Sequence, residues 1–172
     1  NKILNKLSVK IFIYSRRKLD EKISFPSLEE ALKTVNPDYV IIANETSEHL
    51  KTLKVIENFD VKKVLVEKPL FQNFDNNLSL NKKNLFVGYN LRFHPFLIKL
   101  KRELKGQKVL SAEVSVGSFL PEWRKNQNYK KNYSTDHSKG GGVLRDLSHE
   151  IDYLLWIFGP ASELVSSGGH FS

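Results

Sequence analysis

The chain contains no cysteine and no methionine. Without a thiol, disulfide frameworks, thiolate metal sites and cysteine nucleophiles are all excluded, and a reducing, cytoplasmic compartment is expected. Long apolar runs are missing too. The longest, such as Tyr39 to Ala43 and Tyr153 to Phe158, fall far below the roughly 20 residues of a membrane helix, and no signal-peptide core opens the chain. No membrane partner is expected, and there are no repeats or low-complexity linkers. Acidic residues are the minority, 19 against 27 basic, for a net charge of +8. The lysines are scattered in the manner of a solvated surface, without the basic stripe or module of a nucleic-acid binder, so no nucleic-acid partner is expected. With 40% hydrophobic and 11% aromatic residues in 172, most of the chain can bury a core. The absent methionine at position 1, and an end at Gly168 to Ser172 without a polar tail or helix terminus, read as a fragment.

Local patterns predict a series of alternating elements. Ile3, Leu4 and Leu7 have helical spacing with no N-cap before them, and Val9 to Tyr14 is a β-branched and aromatic run that reads as a strand. Ser27-Leu28-Glu29-Glu30 resembles a capping box and predicts a helix through about Val35, ended by Pro37. Tyr39 to Ala43 is apolar without alternation, as in a parallel strand covered on both faces. A helix from Glu48 to about Asn58, a strand from Lys62 to Val66 and another from Leu85 to Tyr89 follow. This order predicts βαβ crossovers and an open parallel sheet of the doubly wound, Rossmann type.

After Pro95 the grammar changes. Phe96 to Lys105 reads as a helix and Val109 to Val116 alternates like an antiparallel strand. A long polar stretch from Glu122 to Lys139 reads as a loop that covers something, and three glycines then lead into a strong helix. The boundary between two domains is placed near residues 90 to 95, giving 1–92 and 93–172.

In a doubly wound sheet, ligands sit outside the carboxyl ends of the strands. Those positions hold Ser15-Arg16-Arg17, Asn44-Glu45-Thr46, Glu67-Lys68-Pro69 and Asn90 to His94, each a polar segment with charged or amide side chains. Read alone, Glu67-Lys68-Pro69 is equally a strand end before a turn, Asp146 a first-turn helix charge and His149 a packed polar residue.

Together with Gly140-Gly141-Gly142-Val143-Leu144-Arg145-Asp146-Leu147-Ser148-His149-Glu150-Ile151-Asp152, these pieces resemble the Gfo/Idh/MocA family of nicotinamide-dependent sugar and polyol oxidoreductases. The most specific are Val66-Glu67-Lys68-Pro69-Leu70 after a strand and the glycine triplet before an Asp/His helix. Ile41-Ile42-Ala43 with His49 downstream is less specific, since the family often has Thr-Pro where this chain has Asn44-Glu45. The resemblance implies a Rossmann domain followed by an α/β domain with a mostly antiparallel sheet that often forms an oligomer interface, hence a homo-oligomer. It implies Lys68, Asp146 and His149 as the catalytic group. It also implies cofactor contacts from Ala43, Asn44, Glu45, Thr46, His49, Glu67, Lys68 and Pro69.

Hydride exchange with a carbinol carbon requires a base for the hydroxyl proton and a cation for the developing oxyanion; histidine and lysine supply them. On one helix, Asp146 and His149 would face the same side, so the carboxylate could orient the imidazole or bind a substrate hydroxyl. Ser15, Arg16 and Arg17 carry no acid where an NAD enzyme would have one, which predicts NADP over NAD; the plain alternative is a basic surface turn. Arg92 is an anion-binding residue for substrate or an interdomain salt bridge. Asn90 belongs to the same junction, and Trp123, Tyr129 and Tyr133 could stack on a sugar ring or pin the polar loop. Asp136 beside His137 has no second histidine at a useful spacing, so no metal is expected.

The sequence therefore predicts an NADP-dependent reaction, with NAD possible, on a secondary alcohol or ketone of a sugar, polyol or nucleotide-sugar in bacterial surface-polysaccharide pathways. A non-catalytic NADP-binding or sensing module of the same fold is the alternative. The family's first strand and Gly-rich turn are not found before Asn1 and the second sheet is incomplete, so these 172 residues alone are expected to bind NADP poorly and to turn nothing over.

Overall fold

The structure, a computed structural model, describes residues 4–15, 25–73, 84–117, 119–122 and 128–168. Its order begins with a 3₁₀ turn at Leu4–Leu7, followed by α1 (Leu28–Val35), β1 (Tyr39–Ile42), α2 (Thr46–Ile56), β2 (Lys63–Val66) and β3 (Leu85–Val87). A 3₁₀ turn at Asn90–Phe93, α3 (Pro95–Glu103), four further 3₁₀ turns, α4 (Val143–Asp146) and α5 (Ser148–Phe158) complete it.

Local chemistry accounts for the first half. The Ser27 hydroxyl accepts from the Glu30 amide at 3.1 Å and opens α1. Asn36 closes it in the left-handed region at φ 45°, ψ 63°, a conformation asparagine tolerates. On α2, the buried residues Thr46, His49, Leu53 and Ile56 recur at helical spacing and form its inner face.

The three strands are parallel in the order β1-β2-β3, with Ile42 opposite Val66 and Val66 opposite Val87. Ile42, Val64 and Val66 join Leu32, Leu53 and Ile56 in one core cluster, packed around by Leu28, Phe59, Leu70 and Leu85. Burying each such side chain stabilises the fold by roughly 1.5–3 kcal/mol relative to leaving it exposed.

Three expectations about strands fail, for related reasons. The unalternating runs predict a sheet covered on both faces, yet burial alternates along β2, and Tyr39, Ile41, Leu65 and Phe86 remain exposed on the far face. Val9 to Tyr14 forms no strand, because a strand exists only through a ladder partner and the described residues provide none beyond β1. Val109 to Val116 likewise stays unpaired and exposed despite its alternation, so the antiparallel sheet is not formed among the described residues.

The described part of the polar stretch, residues 128–139, is more ordered than a plain loop. Asn128, Asn132 and Asp136, four residues apart, each cap a 3₁₀ turn by accepting from Lys130 N at 3.0 Å, Ser134 N at 3.4 Å and Ser138 N at 3.0 Å. Its asparagine content thus serves a repeated local motif. The glycine-led helix is two helices, not one: Leu147, at φ −101° and ψ 28°, breaks it between α4 and α5.

Candidate functional site

The carboxyl ends of β1, β2 and β3 place Ala43 to Thr46, Glu67 to Pro69 and Gly88 to Asn90 along one edge. The turn after β2 is held from two sides. Glu67 N donates to Ile42 O at 2.9 Å, which continues the ladder one residue beyond the strand. His49, only 1% exposed on α2, sets Nδ1 at 3.1 Å from both Pro69 O and Leu70 O and Nε2 at 3.2 Å from Asn44 O. The buried ring thus lies against the carbonyls of the lysine turn and of Asn44, and His49 packs beneath the lysine turn. Gly88 passes so close that a Cβ there would lie 3.2 Å from Glu67 Oε2 and 3.4 Å from Val66 O. Asn44 is tied to α2 through Thr52 Oγ1 at 2.9 Å, while Thr46 is buried and Ala43 is exposed.

The second half closes over this edge. Lys68 Nζ donates to the main-chain carbonyl of Asp146 at 2.5 Å, across 78 positions of sequence. Gln72 Nε2 donates to His137 O at 2.7 Å. Gly140, at φ 88°, abuts Thr46 at the start of α2, where a Cβ would lie 2.6 Å from the threonine Cβ. A side chain at Gly141 would run into Tyr133 O at 2.1 Å. These glycines are the residues that allow the Asx-turn loop to sit on α2.

His149 lies in the first turn of α5, within the influence of the Lys68 charge. Burial first, and then the Lys68 charge, push its imidazole below the ordinary 6.5, against smaller opposing effects of Glu150, Asp152 and Glu67. The ring is therefore neutral at pH 7 and able to accept a proton. Its Nδ1 is buried without a hydrogen-bond partner, as are Ser148 Oγ and Glu150 Oε2. Tyr89 meets the His149 ring edge-on, 5.7 Å between centroids at 82°.

The structure brings Lys68, His149 and the Asp146 backbone together, but it does not set Asp146 and His149 on one helix face. The break at Leu147 separates them, and the Asp146 atom facing Lys68 is the carbonyl oxygen. Arg92 forms a forked ion pair with Asp152, Nε to Oδ2 at 2.8 Å and a terminal nitrogen to Oδ1 at 2.5 Å. Of its two sequence readings, the structure contains the salt bridge. Asn90 opens the exposed 3₁₀ turn ahead of Arg92, and Tyr133 stands half-buried in the Asx-turn loop. Ser15 lies outside any regular element; Arg16, Arg17 and Trp123 fall outside the described residues.

Tyr89 and Asp152 are the participants to which sequence reasoning gave no role. Asp152 carried a signal, since it lies one helical turn beyond His149.

No helix among the described residues is long and apolar enough to cross a membrane. Residues 106–170 match the model of an oxidoreductase family, C-terminal alpha/beta domain. An uncharacterized oxidoreductase of Synechocystis sp. is 31% identical over 158 residues, covering 86% of this chain and 42% of the relative. The chain thus spans about two fifths of that relative's length. No solved structure matches. The match to the second half and the likeness of most of the chain to this relative make it similar to the Gfo/Idh/MocA oxidoreductases.

Proposed function

We infer that the full-length protein transfers a hydride between a nicotinamide nucleotide, NADP by preference, and a secondary alcohol or ketone of a sugar, polyol or nucleotide-sugar. The observation that carries this reading is the hydrogen bond from Lys68, in the turn after β2, to the Asp146 carbonyl, which brings the ammonium to the segment that leads into His149 on α5. The match to the family's C-terminal domain supports a nicotinamide cofactor, since these oxidoreductases generally use one.

The residues present fit the reactive end of such a cofactor. The carboxyl edge of a parallel sheet is where this architecture receives its ligands, and Gly88 keeps the backbone low beside Glu67. The unpartnered Nδ1 of His149 adds a polar group not yet matched by protein. Asn44, Glu45, Glu67 and Lys68 would border the bound nucleotide. When bound, it supplies the hydride donor or acceptor.

Everything else falls to the chain. The Lys68 ammonium stabilises negative charge as it develops on the substrate oxygen, a type of contribution worth about 10² to 10³ in rate. Its hydrogen bond to Asp146 O fixes the ammonium at the edge. The His149 imidazole takes the hydroxyl proton during oxidation and returns it during reduction. The Asx-turn loop, held against α2 by Gly140, limits the access of water.

The test is to add sugar and nucleotide-sugar ketones to the full-length protein with NADPH or NADH and follow nicotinamide fluorescence. Oxidation of NADPH in preference to NADH is expected. Tight NADPH binding with no oxidation by any ketone would favour the sensing module instead.

A further inference from the structure

Three contacts join α5 to the segment that follows β3, and they run in order along both. Tyr89 meets the His149 ring, Arg92 forks onto Asp152, and Lys101 Nζ stands 4.3 Å from the centre of the Trp156 ring while donating to the Trp156 carbonyl. His149, Asp152 and Trp156 are spaced three and four apart, so they share one stripe of the helix spanning about 60° of its circumference. The central contact is the most directional. A guanidinium and a carboxylate paired through two nearly parallel bonds define a plane, which an aromatic edge contact or a single ammonium does not. The Asp152 side chain is only 9% exposed, against 41% for Arg92, so the carboxylate depends on this partner for compensation.

We propose that Arg92 and Asp152 form a positioning clamp that fixes the rotation of α5, and so holds the His149 ring toward Lys68. This rests on the hydride-transfer reading above. Neither residue touches the reacting atoms. A turn of α5 about its axis would swing His149 away from the edge, since the ring lies one helical turn before Asp152. Lys68 and Glu67 face His149 from the turn after β2, Tyr89 faces it from the junction, and Glu150 and Asp152 lie on its own helix. Losing the clamp moves the imidazole away from the Lys68 charge and into water, both of which return its titration toward 6.5.

The test compares Arg92→Lys and Asp152→Asn with wild type in the full-length protein. Arg92→Lys keeps the charge and loses the fork, and Asp152→Asn keeps the shape and loses the charge. The expected result is a fall in kcat of about 10- to 100-fold in both, with KM for the nicotinamide nucleotide changed less than about twofold. In Arg92→Lys, NMR of labelled histidine should also show His149 titrating at higher pH than in wild type. Should Asp152→Asn fail to fold, the more exposed Arg92→Lys decides alone. A folded Arg92→Lys with wild-type kcat and unchanged His149 titration would overturn the clamp. So would an effect confined to KM for an anionic substrate, which would make Arg92 a substrate ligand. If wild type turns over no nicotinamide with any ketone, the hydride-transfer reading fails, and the His149 titration still decides the clamp.

Discussion

Residues 25–88 and residues 95–168 hold their shape by different means. In the first region the sheet and α1 and α2 enclose a cluster that includes Val66 at 0% exposure. In the second, no apolar side chain among the described residues is buried, and Leu110 is 88% exposed. Order there comes from polar devices: three Asx-capped turns, close glycine contacts, and charged or aromatic pairs tying α5 to the junction. The first region is therefore a platform stabilised by burial. The second is a set of groups aimed at that platform, and Lys68 with His149 is where the two meet.

Substitutions separate these means of support, beginning with the largest effect. Leu53→Ala should cost about 2–5 kcal/mol in denaturant unfolding, because it opens a cavity in the cluster. Leu110→Ala, on an exposed side chain, should stay within about 0.5 kcal/mol. Equal costs for the two would erase the contrast. Gly141→Ala should destabilise by about 1–3 kcal/mol, since its Cβ overlaps the Tyr133 carbonyl. An Ala variant as stable as wild type would mean that the loop is not packed as closely as its geometry indicates. Ser27→Ala should cost about 1 kcal/mol through loss of the α1 cap, measured as a lowered unfolding midpoint.

The smallest effect is a dependence on pH. With the folded value of His149 below 6.5, the native protein binds fewer protons than the unfolded chain between the two values. Stability from this source is full above about 6.5 and is lost as pH falls through the folded value. Comparing thermal unfolding of wild type and His149→Gln across that window should show the slope in wild type only.

The sequence was legible where the determinants are local. The Ser27 cap, the 46-49-53-56 spacing of α2 and the apolar strands all act within a few residues, and each element forms close to its expected place. Ladder formation is not local. Val9 to Tyr14 and Val109 to Val116 have strand composition, but pairing needs a neighbour that composition cannot supply. At the site, the resemblance singled out Lys68 and His149, and the structure adds the hydrogen bond from Lys68 to the Asp146 carbonyl just ahead of His149. The break at Leu147 was not legible, because three-residue spacing fits one continuous helix as well as two. The place of His49 against the carbonyls of Asn44, Pro69 and Leu70 was likewise not legible, because it joins α2 to a turn twenty residues away.

The central claim is that Lys68 stabilises the reacting oxygen at the junction of the two regions. Pre-steady-state oxidation of NADPH by a ketone substrate, in full-length wild type and Lys68→Met, tests it most directly. A fall in the hydride-transfer rate of about 10² to 10³, with NADPH still bound, is the predicted result. An unchanged rate in a folded Lys68→Met protein would contradict it.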